Sequence, residues 1–248
     1  MRRLLLAALA AVACALGPSE PNATVAQDGP GRRVLFVGNS LTYVNDLPLV
    51  VRALSRAAGA DSAMRVGMVA NPDYSLEDHW ARGDAARTIA AATWDVVVLQ
   101  QGPSALESSR VLLLDYTRRF ATVARAAHAT PALYAVWPTS DRPQDFARSA
   151  ESYRLAADSV QGILFPVGEA WQAAWRRDAT LPLYASDGQH PSPYGTYLAG
   201  LVIAARLTGR SPLGMPASLA LDGGGRLEIP AAVASTLQAA AAEALAAP

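Results

Sequence analysis

The sequence predicts a three-layer α/β/α sandwich around a central five-stranded, mostly parallel sheet. Two observations carry this. Short, continuous, Val-rich apolar runs alternate along the chain with helix-length amphipathic segments. Those runs also lack the polar/apolar alternation of a half-exposed strand, so helices must cover both faces of the sheet. Strand–helix alternation with short loops then specifies a doubly wound topology.

The strands are expected at Arg33–Val37, Met64–Val69, Asp95–Gln100, Ala132–Val136 and Ile163–Val167. Helical periodicity fills the gaps at Leu47–Ala58, Asp84–Ala92, Leu106–Ala127, Asp145–Val160 and Glu169–Arg176. A further helix runs from Pro193 to Leu207, with Ser192 as its N-cap, Pro193 at its first position and Gly209 closing it. Beyond it come a Pro/Gly-rich stretch, Pro212 to Gly225, and a terminal helix from about Pro230. Gly223-Gly224-Gly225 reads as a flexible turn, far from any strand that could use it to cradle phosphate.

The chain of 248 residues suits one such domain at 32–210, with a C-terminal extension at 211–248 whose helix packs on it. The 21 basic residues, all Arg, balance 21 acidic ones, so no net field favours nucleic acid or anionic lipid. Residues 1–16 read as an export signal: Arg2-Arg3 precedes the apolar run Leu4 to Leu16, which falls short of the roughly 20 residues needed to span a bilayer. Residues 17–31 then form a flexible linker. Two processing outcomes stay open. Ala11-Val12-Ala13-Cys14 is similar to a lipobox, which would leave Cys14 as a lipid anchor and the only membrane attachment. Cleavage after Thr24-Val25-Ala26 would instead release a soluble periplasmic or extracellular product. With Cys14 the sole cysteine, disulfides and cysteine catalysis are excluded from the mature body.

Sheets of this kind gather ligands at the carboxyl ends of their strands. Ser40 lies there in Val37-Gly38-Asn39-Ser40-Leu41-Thr42, and Gln100 and Gln101 lie there after the third strand. Far downstream, Asp187-Gly188-Gln189-His190 puts a carboxylate three residues before an imidazole. One ring nitrogen of His190 can meet Asp187 and the other can face Ser40, giving nucleophile, base and orienting acid. Asn39 can bond the turn backbone or reach a ligand. Trp137, after the fourth strand, would floor a sugar- or acyl-binding pocket if it is not an ordinary core residue. Glu77-Asp78-His79 offers no second His at ligand spacing, so no metal is expected; His79 and Trp80 read as a helix start packed under the site.

These segments resemble the SGNH (GDSL-type) hydrolase superfamily. Gly38-Asn39-Ser40-Leu41 is similar to its first block and Asp187-Gly188-Gln189-His190 to its last. Ser75-Leu76-Glu77-Asp78-His79 resembles the middle of the branch that starts Gly-Asn-Ser and ends Asp-Gly-x-His-Pro-Ser. The likeness spans Val34 to Leu207 and implies a flavodoxin-like sheet and a serine esterase needing no cofactor. It further implies Ser40 as nucleophile, His190 as base and Asp187 as its partner. The family's oxyanion hole uses the Ser N–H, a Gly N–H from the second block and an Asn side chain from the third. Here Asp73 stands near the Gly, and the third block, Leu99-Gln100-Gln101-Gly102, has no Asn. Gln101 is the expected substitute, with Gln100 the register alternative. The implied substrate is a small-molecule or glycan ester. The rival readings are a binding protein with a decayed oxyanion hole, and an acyltransferase using the same triad.

Overall fold

The computed structural model describes residues 31–59 and 63–247. The leader, Cys14 and all but the last linker residue lie outside the described residues. Five parallel strands, β1 (Arg32–Gly38), β2 (Met64–Ala70), β3 (Val96–Leu99), β4 (Thr130–Tyr134) and β5 (Ile163–Phe165), lie in the order β2-β1-β3-β4-β5. Val34, Leu35, Phe36 and Val37 are all buried, although successive side chains point to opposite faces. Their continuous apolar run follows from helices on both sides.

Nine α-helices lie among the described residues: α1 (Ser40–Tyr43), α2 (Leu47–Ala57), α3 (Leu76–Arg82), α4 (Asp84–Ala91), α5 (Glu107–Ala126), α6 (Phe146–Ser159), α7 (Val167–Arg177), α8 (Pro193–Thr208) and α9 (Ala231–Ala246). Helices α2, α7, α8 and α9 pack together in one layer, and α3 to α6 form the other. In α2, Leu47, Val50, Val51 and Leu54 repeat at helical spacing, and all four are buried. They meet α8 at Gly200, where a Cβ would press into Val50 and Leu54. Burying each such side chain contributes roughly 1.5–3 kcal/mol. Ser192 caps α8 by accepting from the amides of Tyr194 and Gly195, and Gly209 ends it with φ +67°.

Strand order reverses between β1 and β3, so the crevice of the sheet opens at the carboxyl ends of those two strands. Val37 pairs with Leu99 and Gly38 with Ala70, which brings the segments starting at Asn39, Asn71 and Gln100 to one edge.

Several boundaries differ from expectation, among them the end of β5, which stops at Phe165 and not Val167. Strand β4 begins at Thr130 and ends at Tyr134, because the sheet accepts Pro131 in the second position of the strand, opposite Val97. Helix α7 starts two residues earlier than its amphipathic pattern, directly after Pro166. The end of the Pro/Gly-rich stretch and the residues just after it form a hairpin of β6 (Ser218–Ala220) and β7 (Arg226–Glu228), with Leu219 opposite Leu227 and both buried. Strands of three residues are too short for period-two alternation to register.

Candidate active site

The nucleophile candidate sits on a turn held from below by two buried side chains. Asn39 caps α1 by accepting from Leu41 N–H at 3.1 Å, leaving Ser40 at the first helical position and only 5 % exposed. The fully buried Gln100 reaches under this turn. Its Oε1 accepts from Asn39 N–H at 2.9 Å and from Thr42 Oγ1 at 2.7 Å, while Nε2 donates to Asn39 Oδ1 at 2.9 Å and to the Gln101 carbonyl at 2.6 Å. Gly38 makes room for it, since a Cβ there would strike Gln100 Oε1 and Thr42 Oγ1. From α3, His79 Nε2 donates to the Gly38 carbonyl at 2.8 Å. Burial lowers the His79 pKa, and the ring is neutral.

Helix α3 is set for this by a capping box: Ser75 Oγ accepts from Asp78 N–H, and Asp78 accepts from Ser75 N–H at 2.8 Å. The bond from Ser75 lowers the Asp78 pKa and leaves the carboxylate occupied there. Among the described residues no group of three or more His, Cys, Asp or Glu side chains converges.

The base candidate lies on a second turn. Asp187 Oδ1 accepts from the amides of Gln189 and His190, both at 2.9 Å, and Oδ2 meets His190 Nδ1 at 2.6 Å. Facing a carboxylate, Nδ1 carries the proton, which leaves Nε2 as an acceptor. The bond from His190, followed by the two amides, depresses the Asp187 pKa to about 2. Gly188 takes φ +70°, and its carbonyl accepts from Ser140 N–H at 2.8 Å. The three carbonyls around His190 are each held: Gln189 by Trp137 Nε1 (3.1 Å), His190 by Ala185 N–H (2.8 Å) and Pro191 by Asn45 Nδ2 (2.9 Å).

The topology brings the Ser40 and His190 turns side by side, joined through Asn45, without a hydrogen bond between Ser40 and His190 themselves. Such contacts are often loose before substrate arrives. Their neighbours Asn39 and Gln189 line one cleft of about 520 Å³, together with Asp73, Tyr74, Gln101 and Arg142. Asp73 is exposed in the left-handed region (φ +61°), and its carboxylate makes no hydrogen bond among the described residues.

Two expectations are corrected here. Neither glutamine amide is available as an oxyanion donor. Gln101 Nε2 donates to Ser104 Oγ at 2.8 Å and to the Ser109 carbonyl, its Oε1 takes Leu76 N–H, and Gln100 is spent on the Asn39 turn. Both amides are held instead by neighbouring side chains and backbone. Trp137 is not a pocket floor: it is 1 % exposed, stacks on Trp171 at 3.7 Å between ring centroids and supports the His190 turn. The other candidate ligand contact, Asn39, does line the cleft, though its Nδ2 already donates to the Tyr74 carbonyl at 3.0 Å.

Sequence reasoning missed the supporting roles of Gln100, Asn45 and Tyr153. The Tyr153 hydroxyl donates to the Gln101 carbonyl and accepts from its N–H, fixing the end of β3. The Asn45-Asp46 pair, ordinary turn composition, was the only available hint.

No protein-family model matches the chain, and no curated protein matches it by sequence. Solved structures do. A protein from Slackia heliotrinireducens described as an SGNH hydrolase shares 30 % identity at a TM-score of 0.60, over 72 % of this chain and 100 % of that one. A DUF4886 family protein from Bacteroides uniformis is 19 % identical at a TM-score of 0.67, over 87 % of this chain and 95 % of that one. An acetylxylan esterase from Geobacillus stearothermophilus is 15 % identical at a TM-score of 0.55, over 76 % of this chain and 99 % of that one. The last two likenesses bear on the fold alone.

Proposed function

The chain belongs to the SGNH hydrolase superfamily and is an ester hydrolase, and from that premise we propose an exported serine esterase in which Ser40, His190 and Asp187 form the catalytic triad. Ser40 Oγ attacks the ester carbonyl while His190 Nε2 takes its proton. The tetrahedral intermediate collapses as Nε2 returns that proton to the leaving alkoxide, giving an acyl-enzyme and free alcohol. Water then attacks the acyl group, deprotonated by the same nitrogen, and Ser40 is released. Asp187 stabilises the imidazolium in both halves.

The observation that carries this reading is the Asp187 carboxylate. It accepts three N–H groups from Gln189 and His190, so Nδ1 is committed and Nε2 is the atom left for chemistry. For the oxyanion we assign two backbone donors: the Ser40 N–H, which has no carbonyl four residues back within α1, and the Asp73 N–H in its left-handed turn.

Small acyl esters on carbohydrate are the substrate class we favour. Ser75, Ser104, Ser109 and Thr139 line the cleft and suit a polyhydroxylated alcohol, and one structural relative is an acetylxylan esterase. Export is favoured by Arg2-Arg3 and the apolar run behind them, either as a lipoprotein anchored at Cys14 or as a soluble product.

A fluorophosphonate probe tests the mechanism. Ser40 should be the labelled residue, and Ser40→Ala should lower turnover of acetyl esters by on the order of 10³ or more. The engagement of both glutamine amides elsewhere favours the binding-protein reading to that extent. A silent Ser40 in folded protein would decide for it.

A further inference from the structure

We propose that Asn45 is a positioning residue that ties the nucleophile segment to the His190 turn; this rests on the triad reading above. Asn45 lies five residues after Ser40, where α1 gives way to α2. There two successive residues without glycine's freedom, Asn45 (φ +54°) and Asp46 (φ +55°), enter the left-handed region. Asparagine tolerates that conformation better than most residues because its short amide bonds locally. This amide bonds across the molecule instead. Its Nδ2 donates to the Pro191 carbonyl and to Thr196 Oγ1, each at 2.9 Å. Both N–H groups are thereby used, one on the residue after His190 and one on the buried face of α8.

The placement matters because no other side-chain hydrogen bond among the described residues links the two turns directly. His190 is fixed to Asp187 on its own loop, and Trp137 holds that loop from the β4 side. Among the described residues, the Asn45 amide is the side chain that hydrogen-bonds the loop from the segment that carries Ser40. Removing it should let the imidazole move relative to the serine hydroxyl while leaving each turn internally bonded. A shift of about 1 Å between nucleophile and base is enough to cost about 10²-fold in turnover.

Two variants test this. Asn45→Gly keeps access to the left-handed conformation and deletes the amide; Asn45→Asp keeps the shape and replaces a donor with an acceptor facing the Pro191 carbonyl. Turnover of an acetyl ester is normalised to sites titrated by a fluorophosphonate, so a loss of folded protein does not count. In both variants kcat per titrated site should fall tenfold or more, with KM within about threefold. The strongly deshielded His190 Nδ1 proton, assigned by its absence in His190→Ala, should broaden or shift in proton NMR. An unchanged kcat per site in either variant, or an unchanged resonance in both, overturns the proposal. If Ser40→Ala retains turnover, the esterase reading fails, and the resonance alone still decides what Asn45 does.

Discussion

His79 donates from Nε2 to the carbonyl oxygen of Gly38 at 2.8 Å, and its Nδ1 is buried with no partner among the described residues. A second proton would have to enter at that unpartnered nitrogen. Burial is the main reason the His79 pKa lies below its ordinary 6.5, outweighing the bond to Gly38 and the nearby Asp78 and Asp84 carboxylates; Arg82 lowers it further. The folded state therefore resists a proton that the unfolded chain accepts at about 6.5. Stability from neutral His79 is fully present above that value and is lost as pH falls towards the lower folded pKa. Urea midpoints measured from pH 7.5 to 5 should drop in the wild type. His79→Gln, which keeps a donor but cannot titrate, should flatten that decline, and parallel curves for the two proteins would contradict this account.

Gln100 is the corresponding clamp from β3. Gln100→Leu would leave Asn39 N–H and the Thr42 hydroxyl without their acceptor in a site closed to water. Each stranded donor costs about 1–3 kcal/mol, so the unfolding free energy should fall by roughly 2–6 kcal/mol. Turnover should fall as well, because Ser40 sits on the loosened turn. Gln101→Ala, which breaks bonds to Ser104 and Leu76 at the cleft wall, should raise KM more than it lowers kcat. Steady-state kinetics with denaturation curves on both variants separate the two glutamines.

The difference between these glutamines was not legible in the sequence, and the reason is geometric. Asp187 and His190 lie within one turn, so spacing alone brings carboxylate to imidazole, and Ser40 follows from the rule that sites gather at strand ends. The fate of an amide after β3 depends on partners far away in sequence: Asn39 and Thr42 for Gln100, Ser104 and Ser109 for Gln101. Trp137 failed likewise, since its burial is set by Trp171 on α7. The sheet was readable because continuous apolar runs such as Val34–Val37 have few other uses, whereas β6 and β7 were too short to leave a pattern.

Gly188 tests the support of the base turn. It takes φ +70°, and a Cβ would strike Ser140 Oγ. Gly188→Ala should destabilise by about 1–3 kcal/mol from backbone strain alone and lower kcat by displacing Asp187 from His190. Adding Ser140→Gly removes the collision but not the strained backbone, so it should restore part of the loss. Thermal unfolding and kcat on single and double variants measure this, and full recovery would mean that the collision, not the backbone, dominates.

The proposed role of Asp187 makes a prediction about pH. The hydrogen bond from His190 Nδ1, then the amides of Gln189 and His190, hold its pKa at about 2, below the ordinary 3.8. The carboxylate stays ionised throughout the range in which the enzyme can be assayed folded. The kcat/KM profile should therefore show no break from Asp187 above about pH 3. Asp187→Asn keeps an oxygen to accept from the amides but cannot offset the imidazolium charge, and it invites the wrong ring tautomer. Turnover should drop by about 10²–10⁴ at neutral pH with KM little changed. A variant retaining more than a tenth of wild-type kcat would mean that His190 acts without this carboxylate, and that the short bond to Asp187 serves only to shape the turn.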